Sequence, residues 1–327
     1  MSPGRKHSFI RSHLGRWTVS VMCRVLGVSE QGYYRSLRRP EKGWRDRQLL
    51  EQICECLRDD EENGCNYGVR RIIAWLRLHR GYTGGDRRIY RICREHHLII
   101  RPKRRPNRIT KADRQAEKAE NLINRDFTAQ KPNEKFLTDI TEVPCQDGKL
   151  YLAAVLDCFD GSIQGSYMDN NMRTELCVQA LENACRNTDI EGAILHSDRG
   201  SQFTSQVFLT ALRRHKLIQS MSGTGRCYDN ARMESFFATL KKEKLYQIDT
   251  TRMSRDEVKS VVFRYIRYDN LRRISSVTGG LPPLVYRERY LRSEAKTVDR
   301  RNVSSTKLSL QLVTKLFLTT PHFSLPA

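Results

Sequence analysis

Residues 195–243, LHSDRGSQFTSQVFLTALRRHKLIQSMSGTGRCYDNARMESFFATLKKE, restrict this chain more than any other stretch. They hold two carboxylates, Asp198 and Glu234, in two different kinds of local structure. Ala193, Ile194 and Leu195 form a short apolar run that reads as a buried strand. Asp198 stands at its exit, where Gly200 lets the chain turn. Glu234 falls in a segment of helical spacing, with Met233, Phe236, Phe237 and Leu240 as the apolar stripe and Asp229 or Asn230 as the cap. A strand-end Asp facing a helix-borne Glu suits divalent cations, because hard cations take oxygen ligands. Two such ions, about 4 Å apart, activate a nucleophile and stabilise the leaving oxygen in phosphoryl transfer.

Such a site needs a third carboxylate. Asp139 lies in a β-like run, Phe136 to Val143. A second run, Lys149 to Cys158, and a third, Ser162 to Met168, follow, with Gly148 and Gly161 at the turns, so an antiparallel meander is predicted. A central place on the first strand sets Asp139 beside the end of the 193–197 strand. Asp157 and Asp160 also follow the second strand, where a turn pair is the plainer reading.

The motifs PNEKFLTDIT, YLAAVLD, HSDRGSQFTS and SMSGTGRCYDNARMESFFATLKKE, with YGVRRI upstream, occur in order and at matching spacing. Through them the chain, from about Phe9 to Leu291, resembles the second-frame (OrfB-type) transposases of bacterial insertion sequences. The resemblance implies an α/β catalytic core of the ribonuclease H-like, retroviral-integrase-like type, a mixed five-stranded sheet flanked by helices. All-α helix-turn-helix DNA-binding segments precede it. It also implies an Asp-Asp-Glu triad at Asp139, Asp198 and Glu234, serving as catalytic residues and as ligands for magnesium or manganese, in two ions. The implied partners are double-stranded DNA (the element's inverted-repeat ends and its target), the upstream-frame product, and further copies of the chain on DNA. The chain departs from the family in the 222–227 loop, where Thr224 and Arg226 stand in place of a basic residue and Asn. It departs again at Arg272-Arg273-Ile274, which lacks the usual Arg-x-His.

Charge divides the chain in the same way. The total is +21, but residues 1–125 carry +15, residues 135–245 carry −1 and residues 246–327 carry +8. A near-neutral core between basic flanks fits a polyanion held by the flanks while the core does chemistry. The organisation read is a helix-turn-helix-like segment at 1–40 and a helical DNA-binding domain at 44–100. A basic linker follows at 101–130, then the catalytic core at 131–291 and an extension at 292–327, Ser/Thr-rich and expected to be disordered.

In the first segment, residues 18–36 read as a helix, a Gly27 turn and a second helix capped by Ser29. In the second, an amphipathic helix over 44–62 is expected to end in a solvated acidic run. A helix-turn-helix pattern follows over 67–99. Arg87, Arg88, Arg91 and Arg94 share most of one face of its second helix, opposite Ile89, Ile92 and Cys93, and are candidates for a DNA groove. RPKRRPNRITKADR cannot be one helix, because two prolines interrupt it. Its Lys103, Arg104 and Arg105 invite phosphate contact. Within the core, helices are predicted over 174–186, 202–215 and 256–268, and a last strand over 217–221. Lys241 lies seven residues after Glu234 on the same helical face, within reach of a DNA phosphate. His196 reads as a packing residue in preference to a substrate contact, and Asn230 as either a cap or a substrate contact, the cap being the plainer reading.

No apolar run approaches the roughly 18 residues that a membrane helix requires. The ten cysteines show no Cys-x-x-Cys pair, so a zinc domain is not expected and ordinary reduced thiols are. Cytoplasmic, nucleoid-associated action on DNA is the location these features imply. The reading is a DNA transposase that breaks and joins strands at the ends of an insertion sequence. A ribonuclease H-like nuclease without joining, or a DNA-binding regulator with a vestigial core, would share many of the same residues.

Overall fold

The computed structural model describes residues 3–38, 42–58, 67–98, 119–187, 190–223 and 227–301. Three short helices open the chain: α1 (Pro3–Ser12), α2 (Val19–Leu26) and α3 (Glu30–Arg38). Gly27 ends α2 in the left-handed region at φ 60°. Ser29 Oγ accepts from the Gly32 N–H at 3.1 Å, the expected cap of α3. The sequence pattern did not include α1, whose Ile10 completes a small core with Met22, Cys23 and Tyr33.

A second helical unit follows: α4 (Lys42–Arg58), α5 (Val69–Arg80) and α6 (Asp86–Glu95). Leu49, Ile53, Ile72, Leu76, Ile89 and Ile92 close its interior, and the same apolar cluster runs on into the α/β part of the chain. The acidic run at 59–62 and the stretch RPKRRPNRITKADR, with Lys103, Arg104 and Arg105, lie outside the described residues.

The α/β part is built on five strands: β1 (Lys135–Cys145), β2 (Gly148–Asp157), β3 (Ile163–Asp169), β4 (Ile194–Ser197) and β5 (Ile218–Met221). Their order across the sheet is β3-β2-β1-β4-β5. The first three form the antiparallel meander, while β4 pairs parallel to β1 and β5 parallel to β4. Gly148 at φ 124° and Gly161 at φ 82° make the two turns, where a side chain would be strained. This is the mixed, helix-flanked sheet of the ribonuclease H-like class.

Helices cover both faces. α7 (Thr174–Asn187), α8 (Ser201–Thr204) and α9 (Gln206–Arg214) lie along the chain between β3 and β5. A 3-10 turn, Cys227–Asn230, then leads into α10 (Ala231–Glu243), and α11 (Arg255–Leu271) and α12 (Pro283–Arg301) finish the described chain. Strand alternation sorts the core. Phe136, Ala153 and Val155 meet α7 and α9 on one face, while Leu137, Ala154 and Leu156 belong with α10, α11 and the helical unit on the other.

Two helix predictions need correction. The expected 202–215 helix is two helices, because Ser205 adopts extended backbone (φ −68°, ψ 147°) and caps α9 through the Phe208 N–H. The extension expected to be disordered from residue 292 opens in helix, since α12 runs on to Arg301. Leu308 to Leu318 lie outside the described residues.

Candidate active site

Asp139 and Asp198 come together through sheet register. β4 lies parallel to β1 with Lys135 opposite Ile194 and Leu137 opposite His196. Carried two residues further, that constant offset sets Asp139 level with Asp198, just past the last formal pair. Asp139 shares the Leu137 face of the sheet, the face that α10 covers. Each carboxylate has one oxygen held by backbone. Asp139 Oδ1 accepts from the Ile140 N–H at 2.8 Å, and Asp198 Oδ1 accepts from the Gly200 N–H at 2.9 Å. Both side chains are half-buried.

Glu234 is on the first turn of α10, exposed, while Met233, Phe236, Phe237 and Leu240 bury the other side of the helix. The residues before it are not the caps that the sequence suggested. Asn230 holds the N-cap position without a capping bond. Its Nδ2 instead donates to the Thr138 carbonyl at 3.1 Å, one residue before Asp139. Asp229 accepts from the Gly223 N–H (3.1 Å), Asn121 Nδ2 (2.9 Å) and Arg125 Nε (3.1 Å), so it ties the entry of the core to the end of β5.

The electrostatics show negative charge that its surroundings offset only in part. Burial, reinforced by the charges of Asp198 and then Glu234, pushes the Asp139 carboxyl up to about 7, against the Ile140 bond and the charge of Lys241. Burial also raises Asp198, with the Gly200 bond opposing, and raises Glu234. Lys241 is half-buried among these groups. Burial lowers its pKa, while Glu142 and Asp139 pull it back up.

Three carboxylates with raised pKa values and, among the described residues, one lysine acting on Asp139 are a donor set suited to a hard cation. They are neighbours rather than a closed cage. Among the described residues, no three His, Cys, Asp or Glu side chains converge closely enough to enclose an ion. Of the two carboxylates acting on Asp139, Glu234 exerts the smaller effect.

Other residues singled out from the sequence fall elsewhere. Asp157 and Asp160 are fully buried and both bind Arg287 of α12, Asp160 at 2.6 Å, so they lock the β2–β3 turn to the last helix. His196 is buried between Ser220 Oγ (2.8 Å) and Ser222 Oγ (3.1 Å), and burial lowers its pKa to about 4. On α6, Arg88 and Arg91 each reach Asp46 of α4 at 2.7 Å. Arg87 and Arg94 are exposed and have no ion pair among the described residues. Ile274, which closes the Arg272-Arg273-Ile274 run, is buried at 3% exposure. Among the described residues no helix is long and apolar enough to cross a membrane.

Sequence reasoning passed over Glu243 and Arg273. Glu243 accepts from Arg71 (2.6 Å), Arg273 (2.8 and 3.0 Å) and Tyr265 OH (2.9 Å), and Arg273 also reaches Asp269 at 2.9 Å. Nothing local in the sequence signals this cluster.

Residues 129–227 and 234–291 each match the integrase core domain family, and residues 44–106 match the HTH-like domain family. The chain is 34% identical over 282 residues to "Transposase InsF for insertion sequence IS3A" of Escherichia coli (strain K12), spanning 85% of this chain and 96% of that protein. It is 36% identical over 276 residues to "Insertion element IS600 uncharacterized 31 kDa protein" of Shigella sonnei, spanning 82% and 98%. Among solved structures it is similar to the HTLV-2 integrase catalytic core domain in complex with magnesium (trimeric form). That likeness has a TM-score of 0.39 at 16% identity and covers 49% of this chain and 99% of that one.

Proposed function

Because this chain belongs to the IS3-type insertion-sequence transposases with an integrase core, we propose that Asp139, Asp198 and Glu234 are its catalytic, metal-holding carboxylates. The chain is a DNA transposase, a DDE enzyme with an HTH-like domain for binding DNA. The observation that carries the residue assignment is the β1–β4 register, which brings two aspartates from distant parts of the chain to one level beside α10.

Two magnesium ions, or manganese in their place, would supply charge neutralisation and activation of the attacking oxygen in an in-line displacement. The chain's own residues do the rest. The Ile140 and Gly200 N–H groups fix the rotation of the two aspartates and leave each with a second oxygen for a ligand. α10 presents Glu234 from the same face of the sheet. Lys241, next to Asp139, contacts a DNA phosphate and offsets the negative charge of the carboxylates. Water attacks the phosphodiester at the element's end and the bond to the 3′-oxygen breaks, leaving a free 3′-hydroxyl; that hydroxyl then attacks a target phosphodiester in line and displaces its 3′-oxygen, so one arrangement of carboxylates serves both steps.

DNA is held by the basic flanks. The segments 1–40 and 44–100 recognise the inverted-repeat ends, through Arg87 and Arg94 on the exposed side of α6 and through α3. The linker at 101–130, with Lys103, Arg104 and Arg105, adds phosphate contacts on the way to the core at 131–291. Arg88 and Arg91 act indirectly, holding α6 against α4 through Asp46. The chain works in the cytoplasm on nucleoid DNA. It pairs two ends by self-association on DNA, assisted by the upstream-frame product.

The test uses oligonucleotides that carry the element's ends. Asp139→Asn and Asp198→Asn should bind them normally yet neither cleave nor join. Native-rate cleavage by either variant would remove the assignment.

A further inference from the structure

We infer that Asn230 is a positioning residue, which through its bond to β1 sets where Glu234 stands relative to Asp139. The inference rests on the assignment of Asp139, Asp198 and Glu234 proposed above.

Three features carry it. β4 pairs with β1 only from Lys135 to Leu137, so the Thr138 carbonyl lies past the last β1–β4 pair. Asn230 Nδ2 gives that carbonyl a donor at 3.1 Å, one residue from Asp139 and one helical turn from Glu234. Second, this asparagine stands at the N-cap of α10 and does not cap it. Capping by a residue of its kind is worth about 1 kcal/mol. Third, Asn230 is 5% exposed and its Oδ1 is buried with no hydrogen-bond partner. A buried acceptor left unmet costs about 1–3 kcal/mol. Selection for stability alone would favour a side chain that caps α10 and strands no acceptor. The side chain is instead turned to the strand that bears Asp139, making a direct polar tie between the two elements. The flanking Asp229 holds the same turn from its other side through Gly223, Asn121 and Arg125.

The experiment compares the full chain with Asn230→Ala and Asn230→Asp. Aspartate keeps the size but sets an acceptor against the Thr138 carbonyl. Thermal unfolding is followed without divalent ions and then with increasing magnesium or manganese, and cleavage of end DNA is measured with each. Magnesium demands near-ideal octahedral geometry, so displaced ligands show most strongly with it. Without ions, both variants should melt within a few degrees of the native chain. The magnesium concentration for half the thermal shift should rise about tenfold or more, and magnesium-dependent cleavage should fall about 100-fold. Manganese should restore cleavage to within roughly tenfold of native. Unchanged magnesium dependence in both variants would overturn the inference. So would equal losses with both ions together with a large drop in the ion-free melting temperature, since that pattern marks a merely structural role. Asp139→Asn is run alongside. If it keeps the native magnesium shift and cleavage, the carboxylate assignment itself has failed, whatever Asn230 does.

Discussion

Arg71 Nη1 donates to Glu243 Oε1 at 2.6 Å, joining the helical unit of residues 42–98 to the far end of the helix whose first turn carries Glu234. Arg273 and Tyr265 bind the same carboxylate, and the Ile274 N–H donates to Tyr67 OH at 3.2 Å. One half-buried carboxylate is therefore shared by the HTH-like region, the Glu234 helix and α11. Removing Arg273 leaves Glu243 and Asp269 with one fewer buried cation, so Arg273→Ala should lose about 3–5 kcal/mol in urea unfolding. Arg71 has 30% of its side chain exposed, and Arg71→Ala should cost only about 1 kcal/mol. Despite burial, Arg273 above all holds the Glu243 carboxyl below its ordinary 4.5. Its contribution is thus present above pH 4.5 and lost as pH falls through the depressed folded value. Equal stability of Arg273→Ala and the native chain at pH 7 would contradict this.

Asp139 has the opposite sign. Its carboxyl rises from 3.8 to about 7 in the folded chain, so relative stability is lost as pH climbs between those values. Without divalent ions, Asp139→Asn should be more stable than the native chain at pH 8, by on the order of 1–2 kcal/mol after allowance for solvent screening of a half-buried group. The gain should vanish below pH 4. Melting curves across pH in a chelating buffer decide this, and a gain that is flat with pH would be the wrong result.

The four arginines of α6 should separate by assay. Arg87→Ala and Arg94→Ala should each lower the slope of log affinity against log salt by roughly one, with an unchanged melting temperature. Arg88→Ala and Arg91→Ala should lower the melting temperature, because each bonds to Asp46 of α4. Identical salt slopes for Arg87→Ala, Arg94→Ala and the native chain would show that this face does not meet phosphate.

Much of the fold was legible because it depends on local periodicity. The meander followed from three β-like runs broken at Gly148 and Gly161, and α10 from the spacing of Met233, Phe236, Phe237 and Leu240. The two aspartates were legible as residues, and the meander set Asp139 beside the end of the 193–197 strand, but the β1–β4 register that brings them level is encoded in no local pattern. The break at Ser205 was missed because the apolar spacing continues across it while the serine caps the second helix. The Arg287 pairing with Asp157 and Asp160, and the Glu243 cluster, bridge long sequence separations and leave no periodic trace. Asn230 was read as a cap from its position. In the fold, the Thr138 carbonyl, just past the last β1–β4 pair, takes its amide instead.

The central claim is that Glu234, exposed on α10, completes a catalytic set with Asp139 and Asp198. It is tested most directly by strand transfer with Glu234→Gln in magnesium, on DNA carrying the element's ends, with binding and melting temperature measured on the same samples. The substitution removes one ligand charge at nearly constant shape. The account predicts no cleaved or joined product, with binding and folding intact; joined product at the native rate would contradict it.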